Sequence, residues 1–423
     1  MKIYLDYAGA TPIDKRVQKA MNFYEKNFFA NPSAIYKDGV MARNIIEEAR
    51  GKIAELMNAH SDEIIFTGSG TESDAMAILG VVKDYKIKIK NQKSENIIPH
   101  IITTKIEHPA ILENCRMLEE DGVEVTYLNV DKNGIVDLQE LKDSLKENTI
   151  LVSVMYANNE IGTIQPIEEI AKIIRHFRKG KTMAERGRTS LVPEVRPLGA
   201  IFPFFHTDAC QAMNYLYTKN IEKLGVDMMS FNSSKIYGPK GIGALYKKRG
   251  IEISPIYKGG GQEFGFKSGT ESLPLIASFR EAFIITNKIK EKESERLIKI
   301  RDYGIKKLLS LGDNTGYKII LNGDSVNRIP NNINISISSI SSELLVIELD
   351  AKGIEVSEKS ACHSTDDNGS YVIKAIRKIC KRGGGEEGSL RISLGRATTK
   401  KDMDILAKEL GKILMKYREW KQV

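Results

Sequence analysis

A recurring strand, turn and helix constrains this chain more than any other feature. The stretch DEIIFTGSGTESDAMAILGVV reads as a short apolar strand, a glycine-rich turn and an amphipathic helix. PHIITTKIEHPAILENCRMLEE repeats the form, as do NTILVSVMYANNEIGTIQPIEEIAKIIRHF and FPFFHTDACQAM. Strands alternating with helices predict a mainly parallel sheet covered by helices on both faces. Residues that do chemistry on such a sheet gather at the carboxyl ends of its strands. The fold class expected is α/β, with a large, mainly parallel-sheet domain flanked by helices.

The rhythm changes after about Gly261. A long charged helix, roughly Leu273 to Leu309, leads to NNINISIS and GIEVSEKSA and then to a closing helix from Lys400 onward. This reads as a smaller α+β domain, and 423 residues are too many for one ordinary core. The expected division is a large domain over 15–262 and a small one built from 1–14 and 263–423, which carries a cysteine-containing loop. Two segments look inserted, lysine-rich 83–96 and basic 178–200. Both are expected to be solvated loops, with docking of an acidic partner as the functional alternative.

Several function classes are disfavoured. The net charge of +8, from 63 basic and 55 acidic residues, is modest and spread out, so no direct nucleic-acid binding is expected. No run of about 18 apolar residues occurs, so no membrane span is expected. The opening MKIYLDYAGATP lacks the apolar run of a signal peptide. The four cysteines, Cys115, Cys210, Cys362 and Cys380, form no CxxC pair and no zinc-finger spacing. Few scattered cysteines fit the reducing cytoplasm, and no metal site is expected.

Lys235 lies in SFNSSKIYGPKGIGALY, between small polar residues and a proline- and glycine-rich turn. That setting suits a lysine whose amine holds a cofactor aldehyde, and the rest of the chain supplies what pyridoxal phosphate demands. A buried carboxylate must keep the ring nitrogen protonated, and Asp208 follows an apolar strand, although an aspartate there also serves as a helix N-cap. The phosphate needs N–H groups at a helix start, which GSGTES, Gly68 to Ser73, offers with the Thr71 and Ser73 hydroxyls, although such a turn also serves simply to join strand to helix. His108, in KIEHPAI, can stack on the ring and move protons, or can be structural. The phosphate turn, His108, Asn159, Asp208 with Gln211, and Lys235 follow in order, each at a strand end. Cys362 stands in the polar stretch SEKSACHSTDDNGSY, where Lys359 and His363 could lower its pKa and make it a nucleophile. Cys115 and Cys380 read as structural, and Cys210 as a packing residue beside Asp208.

These residues resemble the cysteine desulfurases of the class V aminotransferase family. The match runs from YLDYAGATP through NPS, FTGSGTESD, KIEHPAIL, VMYANNEIGTIQPI, FHTDACQA, SKIYGPKGIGALY, GGGQEFGFKSGTES and SAC to SLRISLGRATT. The resemblance implies the aminotransferase fold (fold type I) and pyridoxal 5'-phosphate as cofactor. It implies that Lys235 holds the cofactor, Asp208 pairs with the ring nitrogen and His108 stacks on the ring. Asn159 and Gln211 would contact the ring oxygen, and Gly70 and Thr71 the phosphate. Thr270 would reach the phosphate of the neighbouring subunit in a homodimer. Arg391 would bind the carboxylate of L-cysteine, and Cys362 would carry the sulfur as a persulfide. The sulfur would pass to an acceptor such as an iron–sulfur scaffold or a tRNA-thiolation enzyme. Asn232-Ser233-Ser234 stands where the family reads Ser-Gly-His, and Asn232 and Ser234 can still donate to phosphate. Tyr7 replaces a usual asparagine, Phe264 and Lys267 replace common arginines, and Lys359 replaces a glycine. Two other readings stay open. One is a selenocysteine lyase or another class V enzyme; the other is a catalytically weak scaffold that keeps the fold.

Overall fold

The computed structural model describes residues 2–91, 97–186, 202–216, 218–358, 370–377 and 388–420. Its strands are β1 (Ile3–Tyr4), β2 (Ile64–Thr67), β3 (His100–Thr104), β4 (Glu124–Leu128), β5 (Thr149–Ser153), β6 (Phe204–Asp208), β7 (Met228–Asn232), β8 (Gly243–Lys247), β9 (Ile319–Leu321), β10 (Asn332–Ile337), β11 (Ile354–Glu355) and β12 (Gly388–Ser393). Its helices are α1 (Lys15–Asn27), α2 (Lys37–Met57), α3 (Gly70–Asn91), α4 (Pro109–Glu120), α5 (Leu138–Ser144), α6 (Ile167–Arg186), α7 (Ile221–Leu224), α8 (Leu273–Thr315), α9 (Ser342–Asp350), α10 (Tyr371–Arg377) and α11 (Lys400–Trp420).

The central sheet runs in the order β2-β8-β7-β6-β5-β3-β4. Only β8 is antiparallel to its neighbours, as the expected mainly parallel sheet allows. Strands β3, β5 and β6 are buried along their whole length, as strands covered on both faces must be. Their alternation sorts the two cores. Ile101, Leu151, Phe204 and Met228 pack with Met76, Ile78 and Val81 of α3 and Ile111 of α4. The next residues, Ile102, Val152, Phe205 and Met229, face the other way onto Ile46 and Ile53 of α2, Ile170 of α6 and Phe279 of α8.

Helix α8 extends from Leu273 to Thr315, as the charged helical pattern predicted and somewhat beyond Leu309. It leads to the antiparallel sheet β12-β10-β9. On β10, Ile333, Ile335 and Ile337 enter a separate apolar cluster with Leu390, Ile392, Met403 and Leu410. The alternate residues Asn332 and Asn334 turn toward the large sheet, where both side-chain amides donate to the Glu160 carbonyl.

The two inserted-looking segments are not simply loops. Residues 83–91 continue α3, with Tyr85 and Ile89 buried one turn apart. The lysines between them mask a helical spacing that continues Val81 and Val82. Residues 178–186 likewise belong to α6, and Arg178 donates to the Pro203 carbonyl and pairs with Asp227. The remainder, 92–96 and 187–200, lies outside the described residues.

Candidate active site

The site grows from the carboxyl ends of the parallel strands. Strand β2 ends in Thr67, and the chain turns through Gly68 and Ser69 into α3 at Gly70. The Thr67 hydroxyl donates to the Ser69 carbonyl, and the Gly68 amide to Glu72. Gly70 is needed for close approach: a Cβ there would lie 2.7 Å from Cys210 Sγ and 3.0 Å from Asn232 Nδ2. The α3 amino terminus presents exposed Thr71, with the Glu72 amide capped by Ser69 Oγ, and its positive dipole end favours an anion. Asn232 closes β7 beside it, and Ser234 Oγ lies 3.5 Å from Asn232 Oδ1. Cys210 is a packing residue, as expected, and burial pushes its thiol well above the ordinary range.

Asp208 ends β6 and is nearly buried; its Oδ1 accepts the Cys210 amide at 2.8 Å. Lys235 ends a short 3-10 turn after β7. Its Nζ donates to the carbonyls of Ala8 at 2.7 Å and Gly9 at 2.5 Å. Gln211 Nε2 donates to the same Ala8 carbonyl at 3.0 Å. The amino-terminal segment is pinned there because Thr11 donates twice to the Ser234 carbonyl, through N–H and hydroxyl. Tyr7 fills the space over Gly395 and stacks at a tilt on Tyr237, which accounts for an aromatic residue at that position.

Arg391, on β12, is almost fully buried. Its Nη2 pairs with Asp6 Oδ1 at 2.9 Å, its Nη1 donates to the Asn159 carbonyl at 3.3 Å, and its Nε has no hydrogen-bond partner among the described residues. Asn159 Oδ1 is likewise buried without a partner. Two orphaned polar atoms of opposite sense fit a ligand that carries both donors and acceptors. Together with Lys235 and Asp208, this donor set fits pyridoxal phosphate and an amino acid carboxylate. His108 is the N-cap of α4, and its Nδ1 accepts the Ala110 amide at 3.1 Å. Any proton it exchanges therefore moves through Nε2.

Lys235 and Gln211 share the Ala8 carbonyl, Arg391 is hydrogen-bonded to Asn159, and Gly70 packs closely against Asn232 and Cys210. His108 joins the site less directly. The carboxyl group of its neighbour Glu107 accepts the Met155 amide just beyond β5, and the Glu107 carbonyl accepts the Tyr371 hydroxyl. Thr270 is exposed on the loop after β8. That loop is anchored where Arg50 pairs with Glu263 at 2.6 Å and Phe264 stacks on the Arg50 guanidinium. Its start is tied to α3, since the Tyr257 hydroxyl donates to Glu72 at 2.6 Å. Cys362, with Lys359, His363 and Cys380, lies outside the described residues. The segment bearing Cys362 leaves a strand-like pairing of Ser357 with Arg391, whose amides and carbonyls bond reciprocally at 2.7 and 3.1 Å.

Sequence reasoning did not single out Asp6, Glu107, Asp74 or His206. The signal for His206 was its spacing, two residues before Asp208 on one strand face; that for Asp74 was its place three residues after Thr71 on one helix face. Asp6 carried no local signal. Among the described residues, no group of histidines, cysteines or carboxylates is arranged to hold a metal ion, and no helix is long and apolar enough to cross a membrane.

The class V aminotransferase family model matches residues 3–184 and 195–406. A cysteine desulfurase IscS of Dictyoglomus turgidum is 41% identical over 427 aligned positions, covering 99% of this chain and 98% of that protein. A cysteine desulfurase IscS 1 of Archaeoglobus fulgidus is 38% identical, covering 98% and 97%. Among solved structures, a NifS-like protein superposes with a TM-score of 0.82 at 31% identity, covering 98% of this chain and 99% of that one. SspA in complex with cysteine superposes with a TM-score of 0.73 at 30% identity, covering 93% and 99%.

Proposed function

The chain belongs to the class V aminotransferase family, and from that premise we propose how its own residues remove sulfur from L-cysteine. The protein is a pyridoxal 5'-phosphate-dependent cysteine desulfurase that yields L-alanine and an enzyme-bound sulfur. Bound pyridoxal phosphate supplies an electron sink that labilises the substrate α-proton and weakens the C–S bond.

The rest of the assignment concerns this chain's residues. Gly70 and Thr71 would hold the phosphate, with Asn232 and Ser234 donating in place of a histidine. Asp208 would hold the proton on the ring nitrogen, His108 would cover the ring, and Asn159 and Gln211 would contact the ring oxygen. Lys235 would hold the cofactor aldehyde and move the α-proton of the substrate. Arg391 binds the substrate carboxylate as a bidentate pair. His108 exchanges the thiol proton at Nε2. The Cys362 thiolate then attacks the substrate sulfur. A new S–S bond forms as the C–S bond breaks, and the bonding pair returns to carbon, which is protonated to alanine.

The observation that carries this reading is the convergence of Lys235 Nζ and Gln211 Nε2 on the single Ala8 carbonyl. It supports the assignment because Gln211 lies three residues after Asp208, at the end of β6. In the chain, Cys362 follows Ser357, which pairs with Arg391, by five residues.

We further infer a homodimer in which Thr270 serves the partner's site, a division into the 15–262 and 1–14/263–423 domains, a cytoplasmic location and onward transfer to a sulfur-accepting protein for iron–sulfur assembly or tRNA thiolation. The test is to incubate purified protein with L-cysteine or L-selenocysteine and measure alanine together with enzyme-bound sulfur. Alanine from cysteine with one added sulfur on the protein is the expected result. Turnover of selenocysteine alone would overturn the assignment.

A further inference from the structure

Beneath the proposed cofactor site lies a row of polar residues for which the reaction as described has no use. The parity that turns Ile101, Leu151, Phe204 and Met228 toward α3 and α4 turns Thr103, Ser153, His206 and Ser230 the same way, one step nearer the strand ends. All four are fully buried. His206 Nδ1 lies 2.9 Å from Ser153 Oγ, and its Nε2 lies 2.9 Å from Ser230 Oγ. Asp208 follows on the same face of β6 and pairs in register with Ser230.

Asp74 descends onto this row from α3. It is three residues after Thr71, and so on the helix face that the phosphate terminus presents. It is 1% exposed, and among the described residues its Oδ1 has no hydrogen-bond partner. Among the described residues no lysine or arginine pairs with it; its sole basic contact is His206 Nε2 at 3.7 Å. Its other neighbours are the Ser230 hydroxyl, the carboxyl groups of Asp208 and Glu107, and the Cys210 thiol. A carboxylate with one hydroxyl, a neutral imidazole and two other acids around it cannot stay charged in a dry interior. The titration behaviour agrees. Burial, and then Asp208, lift Asp74 well above the ordinary range, while burial alone holds the His206 imidazole neutral, down to about 3.

We propose that Asp74 is a positioning residue for Asp208: it remains protonated beneath the site, and through Ser230 and His206 it keeps the negative charge of the pair on Asp208. Were both carboxyls to compete for charge, Asp208 would gain proton affinity and lose its grip on the ring-nitrogen proton. The proposal rests on the ring-nitrogen role of Asp208, whereas the protonation of Asp74 can be read in cofactor-free protein without that role.

Infrared difference spectra of the cofactor-free protein, wild type minus Asp74→Asn at neutral pH, should show the loss of one protonated-carboxyl stretch. In a pyridoxal phosphate titration, Asp74→Asn, neutral and of the same shape, should bind within about threefold of wild type. Asp74→Leu, which removes the carboxyl neighbour of Ser230 and leaves it His206 alone, should weaken binding about tenfold or more and shift the visible band of the bound cofactor. If the leucine variant fails to fold, Ser230→Ala should give the same loss. The proposal is overturned if no protonated carboxyl disappears, or if the asparagine variant binds as weakly as the leucine one. If the infrared band is lost but Asp208→Asn leaves cofactor affinity unchanged, the ring-nitrogen role of Asp208 fails and the positioning role falls with it.

Discussion

Arg391 and Asp6, 385 residues apart, meet at 2.9 Å between Nη2 and Oδ1. The guanidinium is nearly buried, so without a carboxylate its charge would be stranded. Asp6 keeps one nitrogen occupied while Nε has no partner among the described residues. Arg391→Lys keeps the charge but loses the planar fork. It should raise the KM for L-cysteine about tenfold or more with the visible spectrum of the bound cofactor unchanged, as steady-state kinetics and absorbance will show.

Asp6→Asn tests the other half of the pair. Breaking it leaves a buried cation, and because Asp6 is itself partly exposed, we expect a loss of about 2 kcal/mol in chemical denaturation. A saturating substrate-like carboxylate should restore part of that loss.

Glu107, beside His108, gives a pH prediction. Burial is the largest cause raising its carboxyl to about 8, against the opposing pull of the Met155 amide and the Thr104 hydroxyl. The folded chain therefore keeps a proton that the unfolded chain releases from about pH 4.5 upward. That contribution to stability is complete below about 4.5 and is lost as pH rises toward 8. Glu107→Gln cannot lose a proton. Its stability relative to wild type should rise between pH 5 and 8, by on the order of a few kcal/mol, in paired denaturation curves of cofactor-free protein.

Much of the site could be read in the sequence because its residues sit at strand ends with local signals. The Gly68–Gly70 turn, Asp208 after an apolar strand and Lys235 before a proline- and glycine-rich turn are of this kind. What stayed hidden depends on contacts between distant segments. Nothing near Asp6 announces Arg391, and nothing near Phe264 announces that it stacks on Arg50. Lysines concealed the helical register of 83–91, since the buried face there is carried only by Tyr85 and Ile89. Asp74 and His206 were legible only as spacings, and spacings acquire meaning once helix and strand are laid together.

The basic stretch before β6 should be dispensable for catalysis. It joins α6 to the amino end of β6, whereas Asp208 closes the carboxyl end. Replacing 187–200 with a short Gly/Ser linker should leave alanine formation within a few-fold. The replacement must spare Arg178, whose pairing with Asp227 ties α6 to the strand that follows.

Lys235→Ala should abolish both the visible absorbance of bound cofactor and turnover, because the amine held by the Ala8 and Gly9 carbonyls is the group assigned to the cofactor aldehyde. Wild-type-like activity would remove that assignment.

The central claim is that the sulfur leaves L-cysteine by moving onto Cys362. A single-turnover measurement on Cys362→Ser, with intact-mass analysis alongside, tests it most directly. Serine keeps nearly the same volume but offers a hydroxyl, a far weaker nucleophile toward sulfur than a thiolate. The variant should bind cofactor normally, show altered absorbance on adding L-cysteine, release no alanine and gain no mass of sulfur. Alanine release at the wild-type rate from Cys362→Ser would contradict the account.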